Sequence, residues 1–247
     1  LGISYTEMAA QSRSMHKSQG FGSTGSRGDE LEYLELWRGD SSGTDVFGGI
    51  DTSWKRVEKS QKIAQFLLEA QEVYKVENPK PTLGYLLKAR QELLKMSDQY
   101  WKEIKLNEIN QTIMAITGTY LEVIADDYSY ARGETVKLSV EAINRIDFPI
   151  KLIELTIEPW GYNVELDQVM LYNQKIVNDY SLSIPDSIAM TTPYWLNEKS
   201  TLGMYHVANK DQIGGAINEP ILKARFTLAI GDQYLELTQP IHHKFTD

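Results

Sequence analysis

The sequence predicts an α+β chain: a helical N-terminal half, built from a short helix, a loop and then a helical hairpin or three-helix bundle, followed by an antiparallel Ig-like β-sandwich. Three observations predict this order. Apolar residues recur at helical spacing in successive stretches between Trp54 and Ile116. Near Thr117 the apolar period drops from 3.6 to two. The strand-like runs that follow are short, with turn residues and no long helical run between them, which is the pattern of a sandwich.

Ser4-Tyr5-Thr6-Glu7 has the form of a capping box, in which hydroxyl and carboxylate satisfy each other's backbone amides at a helix start. Tyr5, Met8, Ser12 and Met15 keep helical spacing, and the Gly-rich run from Gly20 to Gly28 ends the helix. Leu31, Tyr33, Glu35 and Trp37 alternate with Glu32, Leu34 and Leu36, giving a strand-like or irregular stretch that is apolar on both sides and needs a surface to lie on. The Gly-, Ser- and Asp-rich residues 39–50 read as a surface loop.

A second helix, capped by Asp51 or Ser53, is predicted to run to about Val76 with Trp54, Val57, Ile63, Phe66, Leu67, Ala70 and Val73 on one stripe. Pro79 and Pro81 break it. Thr82 is the expected cap of a third helix carrying Leu83, Leu86, Leu87, Ala89, Leu93 and Leu94, and Ser97 or Asp98 of a fourth carrying Trp101, Ile104, Ile109, Ile113 and Ile116. Three such stripes bury themselves most simply against one another. Beyond a boundary near Gly118, period two is seen in Leu121, Val123 and Ala125, in Val136, Leu138, Val140 and Ala142, and in Ile153, Leu155 and Ile157. Phe226, Leu228 and Ile230 lead through a Gly231-Asp232 turn to Leu235, Leu237 and Ile241. The expected divisions are 1–47, 48–117 and 118–247.

The 247 residues suffice for two ordinary domains, and 42% hydrophobic with 24% charged residues is a globular composition. A net charge of -9 opposes binding to a phosphate backbone, so nucleic acid is not an expected partner. The absence of cysteine excludes disulfides, thiolate nucleophiles and Cys-held zinc. No apolar run reaches the roughly 20 residues of a membrane span. Leu1 to Tyr5 lack the features of a secretion signal, and the chain starts without Met and stops after a strand-like stretch. It therefore reads as a segment cut from a longer polypeptide.

Gly20-Phe21-Gly22-Ser23-Thr24-Gly25 spells a dinucleotide-binding pattern, but that loop works only between a strand and the helix whose N-terminal amides hold pyrophosphate. Here it leaves a helix. His16, His206, His242 and His243 lack the companion spacing of a zinc site, and no metal ligand is assigned within the chain. His242 and His243 adjoin in an expected strand and so point to opposite faces. Arg13, His16 and Gln19 surround one helix end beside a Gly-rich loop, an arrangement suited to the rim of a polar ligand site, although a helix C-terminus also attracts cations through its dipole alone. Trp160 and Trp195 are candidates for stacking on a sugar ring, although large aromatics also fill cores. Asp126-Asp127 fits a cation ligand or, more simply, a solvated turn.

The stretch from Leu1 to Gly22, with His16-Lys17-Ser18-Gln19 as its most distinctive step, continues into Arg27-Gly28 and Glu32-Tyr33-Leu34. It resembles the end of the catalytic domain in the LmbE-like, PIG-L family of deacetylases. Arg132-Gly133-Glu134, Asn144-Arg145, Pro193-Tyr194-Trp195-Leu196 and the run from Pro240 to Asp247 resemble the accessory region of its long bacterial members. The resemblance implies a Rossmann-like catalytic domain whose zinc, held by an H-P-D-D-E type motif and a later His, polarises an acetamide and lowers the pKa of its water. No H-P-D-D occurs here, so the zinc centre is expected upstream of Leu1, with Arg13, His16 and Gln19 near the substrate rim.

On this reading the chain is a non-catalytic accessory region of a zinc-dependent N-acetylsugar deacetylase, inactive alone and without a cofactor of its own. Its partners would be the upstream catalytic domain and an N-acetylated glycan, in a bacterial exported or cell-envelope setting that the resemblance alone implies. The alternatives are a free-standing carbohydrate- or protein-binding sandwich and a structural spacer.

Overall fold

The computed structural model describes residues 2–19, 22–29, 31–39, 43 and 45–245. They form two compact units, Leu1–Asp51 and Thr52–Asp247.

In the first unit, Ser4 and Glu7 make the full capping box of helix α1 (Tyr5–Ser14). The Ser23–Arg27 segment returns along this helix. Ser14 exchanges hydrogen bonds with Ser23 through its hydroxyl, and the Arg27 Nε lies 2.8 Å from Glu7 Oε1. Gly25 is required there because a Cβ would sit 2.9 Å from the Glu7 Cα. Gly20 and Phe21, two members of the glycine pattern, lie outside the described residues, while the residues that follow, 22–27, carry no regular structure. Residues 31–37 carry no regular structure and leave Leu31, Tyr33, Leu34 and Leu36 exposed, with Trp37 94% exposed.

The second unit opens with a single 3-10 turn, Trp54–Arg56, capped by Ser53 as anticipated. The expected long second helix does not run on from it. The backbone turns left-handed at Lys59, the buried Ser60 hydroxyl donates to the carbonyls of Trp54 and Val57, and α2 begins afresh at Gln61–Val73. Helix α3 (Lys80–Leu94) starts before Thr82 rather than at it: Pro81 is tolerated in the first turn, where backbone amides lack partners anyway. Asp98 caps α4 (Gln99–Thr117), which ends at Gly118 in the left-handed region, φ 58°. The apolar stripes of the three helices meet through Ile63, Ala70, Leu83, Leu86, Leu93, Ile109 and Ile113.

Seven strands follow: β1 (Tyr120–Ala125), β2 (Thr135–Ile143), β3 (Ile150–Glu158), β4 (Tyr162–Val169), β5 (Lys175–Ser183), β6 (Lys223–Ile230) and β7 (Gln233–His243). They form one curled sheet in the order β4-β3-β6-β7-β1-β2-β5. The expectation of an all-antiparallel sheet requires correction. β1 and β7 are parallel, pairing Val123 with Ile241 and Ala125 with His243, because the first and last strands come together in the middle of the order. The ladder in β3 is also shifted. A bulge between Leu152 and Glu154 resets the pleat, so Leu152 is buried alongside Leu155 and Ile157, and Ile153 is only partly covered.

Helices and sheet share one core, and a buried cation fastens them. Arg90 on α3 is 7% exposed. Its guanidinium donates to Asn110 Oδ1 on α4 (2.8 Å), to Gln233 Oε1 (3.1 Å) and to the Tyr234 carbonyl (3.0 Å), both on β7. Gln233 in turn donates to the Leu87 carbonyl at 2.8 Å. These contacts, with Leu87 against Gly231 and Lys80 paired to Asp147, place α3 at the β6–β7 turn and the β2–β3 connection, one end of the sheet. The opposite end is left to loops.

Candidate functional site

The loop end gathers the β1–β2 turn, the β3–β4 turn and the long β5–β6 connection, residues 184–222. The connection's regular structure is limited to two single 3-10 turns, Tyr194–Leu196 and Lys210–Gln212, and connections of that length are uncommon in compact domains and commonly functional. This one is self-packed. Buried Tyr194 donates from its hydroxyl to the Gly215 carbonyl (3.2 Å) and from its amide to Asn218 Oδ1 (2.9 Å), and Asn218 donates to the Thr192 carbonyl (2.6 Å).

The β1–β2 turn is fixed by the Asp126 carboxylate. It accepts from the Tyr130 hydroxyl (2.7 Å) and from the Lys137 amide (2.9 Å), and the Tyr130 oxygen accepts from the Asp127 amide (2.6 Å). Burial and the neighbouring carboxylate push the Tyr130 phenol up to about 12, whereas the Tyr130 and Lys137 bonds hold Asp126 below its usual value. Asp126 is thus occupied as a turn-former, the simpler of its two expected roles. Gly133, at φ 84°, closes the turn by donating to the Ile184 carbonyl.

Between these loops lies a cavity of about 630 Å³, within the size range of small-molecule sites. Its walls are mostly aliphatic: Ile184, Ile188 and Met190 from the start of the long connection, Ile221 and Leu222 from its end, and Ile241 from β7. Asp127, Tyr128, Ser129, Arg132, Thr191 and His243 add polar and aromatic groups to the lining. His243 Nδ1 lies 3.1 Å from the Ala125 carbonyl and can donate to it as the Nδ1–H tautomer, leaving Nε2 as an acceptor. Its ring meets Phe245 edge-on at 4.9 Å, and Tyr128 lies 6.2 Å from Phe245. Tyr128 and Phe245 are 74% and 77% exposed, so two flat faces stand in water beside an apolar hole.

The two tryptophans singled out from the sequence are separated. Trp160 lines the cavity and is half-buried, with its indole N–H enclosed and without a partner among the described residues. Trp195 instead packs edge-on against Tyr194 at 4.9 Å, away from the cavity wall. In the first unit, Arg13, His16 and Gln19 are all exposed and are linked through the main chain, His16 N–H donating to the Arg13 carbonyl and Gln19 N–H to the His16 carbonyl. A depression of about 520 Å³ beside them is walled by Glu7, Gln11, Ser14, Met15 and Arg27, and none of the three lines it.

The four histidines lie in separate surroundings. His242 Nε2 is 3.3 Å from Glu122 Oε1 in a cluster that also holds Lys244 Nζ 2.7 Å from Glu122 Oε2, His243 is turned to a carbonyl, and His16 and His206 are exposed elsewhere. Among the described residues no three His, Asp or Glu side chains converge. Nor is any described helix long and apolar enough to cross a membrane.

No family model matches the chain, and no curated protein is significantly similar to it. Among solved structures, the sporulation control protein Spo0M of Bacillus subtilis is similar over 51% of this chain and 50% of its own, with 11% identity and a TM-score of 0.26. The alkylpurine DNA glycosylase AlkC of Pseudomonas fluorescens, bound to DNA containing an abasic-site analogue, is similar over 71% of this chain and 54% of its own, with 9% identity and a TM-score of 0.25. The chain spans about half the length of each. Such loose overlap defines no common fold.

Proposed function

We propose that this chain is a non-catalytic accessory region of a zinc-dependent N-acetylsugar deacetylase of the LmbE-like, PIG-L type. Its Leu1–Asp51 unit would complete an upstream catalytic domain, and its Thr52–Asp247 unit would be a binding module. The observation that carries this reading is segment 31–37. It exposes Leu31, Tyr33, Leu34, Leu36 and Trp37 together, a configuration that costs free energy in water and is relieved when a surface covers it. Val46, Phe47 and Ile50 in the same unit are exposed as well.

In that complex Arg13, His16 and Gln19, exposed at the end of α1, would stand at the substrate rim, and the zinc would be held by the upstream domain. The curled sheet is read as an Ig-like sandwich, with β1, β2 and β5 facing β4, β3, β6 and β7. Contacts between the two edge strands support this: Asn178 on β5 donates to Gln168 on β4, and Tyr162 meets Tyr180 edge-on at 6.2 Å.

Trp37 supplies the test. Its emission and its quenching by acrylamide are compared in this chain and in the same chain joined to a deacetylase domain. Covering segment 31–37 shifts the emission to the blue and protects the ring in the joined protein, with Trp37→Phe identifying the signal. A Trp37 that stays as quenchable as in this chain refutes the docking role. The second reading, a carbohydrate-binding module active without any enzyme, is favoured by Trp160 in the cavity wall and predicts glycan binding by this chain alone.

A further inference from the structure

The cavity and its rim ask for different chemistries. A site for a free sugar is usually polar within, because each buried hydroxyl needs a partner. Here the lining is largely apolar, with Ile184, Ile188, Met190, Ile221, Leu222 and Ile241. Besides the enclosed Trp160 indole N–H and the Ser129, Tyr130 and Thr191 side chains, the polar part of the lining is of mixed sign: Arg132 can donate, and Asp127 and the free nitrogen of His243 can accept. Arg132 has no ion-pair partner among the described residues. A single positive charge beside a carboxylate gives no net attraction for an anion, but donor and acceptor together suit hydroxyl groups, which act as both. The exposed rings of Tyr128 and Phe245 add flat apolar faces against which a pyranose can stack.

The long connection that forms the cavity wall points to where such a ligand comes from. It exposes Met190, Leu196, Leu202, Met204, Ile213 and Ile217. Its charges are Asp186, Lys199, Glu198, Lys210, Asp211 and Glu219, slightly acidic, and the whole chain carries -9. An apolar loop without excess cations fits an uncharged lipid surface rather than an anionic one.

We propose that the cavity is the site for the hydrocarbon chain of a neutral glycolipid, taken from a lipid surface, with the sugar headgroup lying on Tyr128 and Phe245 between Asp127 and Arg132. The inference stands on the Thr52–Asp247 unit alone and is independent of the deacetylase reading.

Octyl β-glucoside below its micelle concentration is the first probe, followed by calorimetry and by the fluorescence that Trp160→Phe abolishes. Hexyl β-glucoside binds about tenfold more weakly, since two methylenes are lost from an apolar site, and glucose more weakly still. Tyr128→Ala, at an exposed position, lowers octyl glucoside affinity to that of octanol without changing the melting temperature, and Ala189→Trp, filling the mouth of the cavity, abolishes both. Uncharged phosphatidylcholine vesicles containing a glucosyl lipid bring the protein down on centrifugation, and Leu202→Asp with Ile217→Asp releases it while octyl glucoside binding persists. Equal affinity for octyl glucoside and glucose overturns the chain assignment. Tighter binding of octanoate than of octyl glucoside overturns the headgroup assignment. Binding of the monomeric glycoside with no sedimentation on glycolipid vesicles overturns the lipid surface as its source.

Discussion

Replacing Arg90 by Met tests whether helices and sheet are one structure. The guanidinium has three acceptors on two different elements, Asn110 on α4 and Gln233 and Tyr234 on β7, and lies 7% exposed. Burial lowers the pKa of Arg90. Methionine keeps most of the volume and removes all the donors. A buried acceptor left unpaired costs about 1–3 kcal/mol. Two of the three are side-chain amides able to turn toward other partners, and loss of the buried cation returns part of its desolvation cost. The net expectation is a loss of about 2–4 kcal/mol, with Arg90→Lys in between because an ammonium cannot span three acceptors as a planar fork does. Urea unfolding read by far-ultraviolet circular dichroism and by the fluorescence of Trp54, Trp101 and Trp160 measures it. A Met variant within about 0.5 kcal/mol of the parent, the range of ordinary surface changes, refutes the reasoning, as does separate unfolding of the helical and sheet signals.

Two further outcomes are expected. Glu122 is 8% exposed, and although burial raises its pKa, hydrogen bonds from Lys244, Tyr120 and His242 outweigh that and hold it below its ordinary 4.5. A carboxylate depressed in the folded state stabilises above its unfolded pKa and loses that contribution as pH falls through the folded value. Urea midpoints of the parent should drop as pH goes from neutral to well below 4.5, and Glu122→Gln should flatten that drop; parallel pH profiles would contradict it. Gly118→Ala should cost about 1–2 kcal/mol in thermal or urea unfolding, since a left-handed residue ends α4 and the new Cβ would meet Arg145 Cβ at 3.1 Å. An unchanged stability there would mean that the helix end relaxes freely.

Much of the fold was legible because burial imposes period. Ile63, Leu83, Leu86, Ile109 and Ile113 announce helices, Val136, Leu138 and Val140 announce a strand, and Gly118 marks the junction. Strands β4 and β5 were not anticipated. They are edges, only half covered, so polar residues such as Asn163, Glu165, Asn178 and Asp179 interrupt their apolar signal. Arg90 could not be recognised as buried, because an arginine on a helix reads as solvent-facing until its three acceptors are in place. The parallel β1–β7 pairing joins residues from opposite ends of the sheet sequence, which no local pattern encodes. The cavity has the same origin. Its walls come from residues within 125–132, 184–191, 220–222 and 241–243 and from Trp160, brought together only by folding; Asp127, Trp160, His242 and His243 drew attention by type, but nothing in the sequence placed them around one hole.

The proposed role is that this chain serves a catalytic domain rather than catalysing deacetylation. Zinc content and acetate release from N-acetylglucosamine, measured on this chain and on the same chain joined to an LmbE-like deacetylase domain, test it most directly. Stoichiometric zinc and acetate release by the joined protein alone is the predicted result. Zinc held at one equivalent by this chain, turnover by it, or no deacetylation by the joined protein would contradict it.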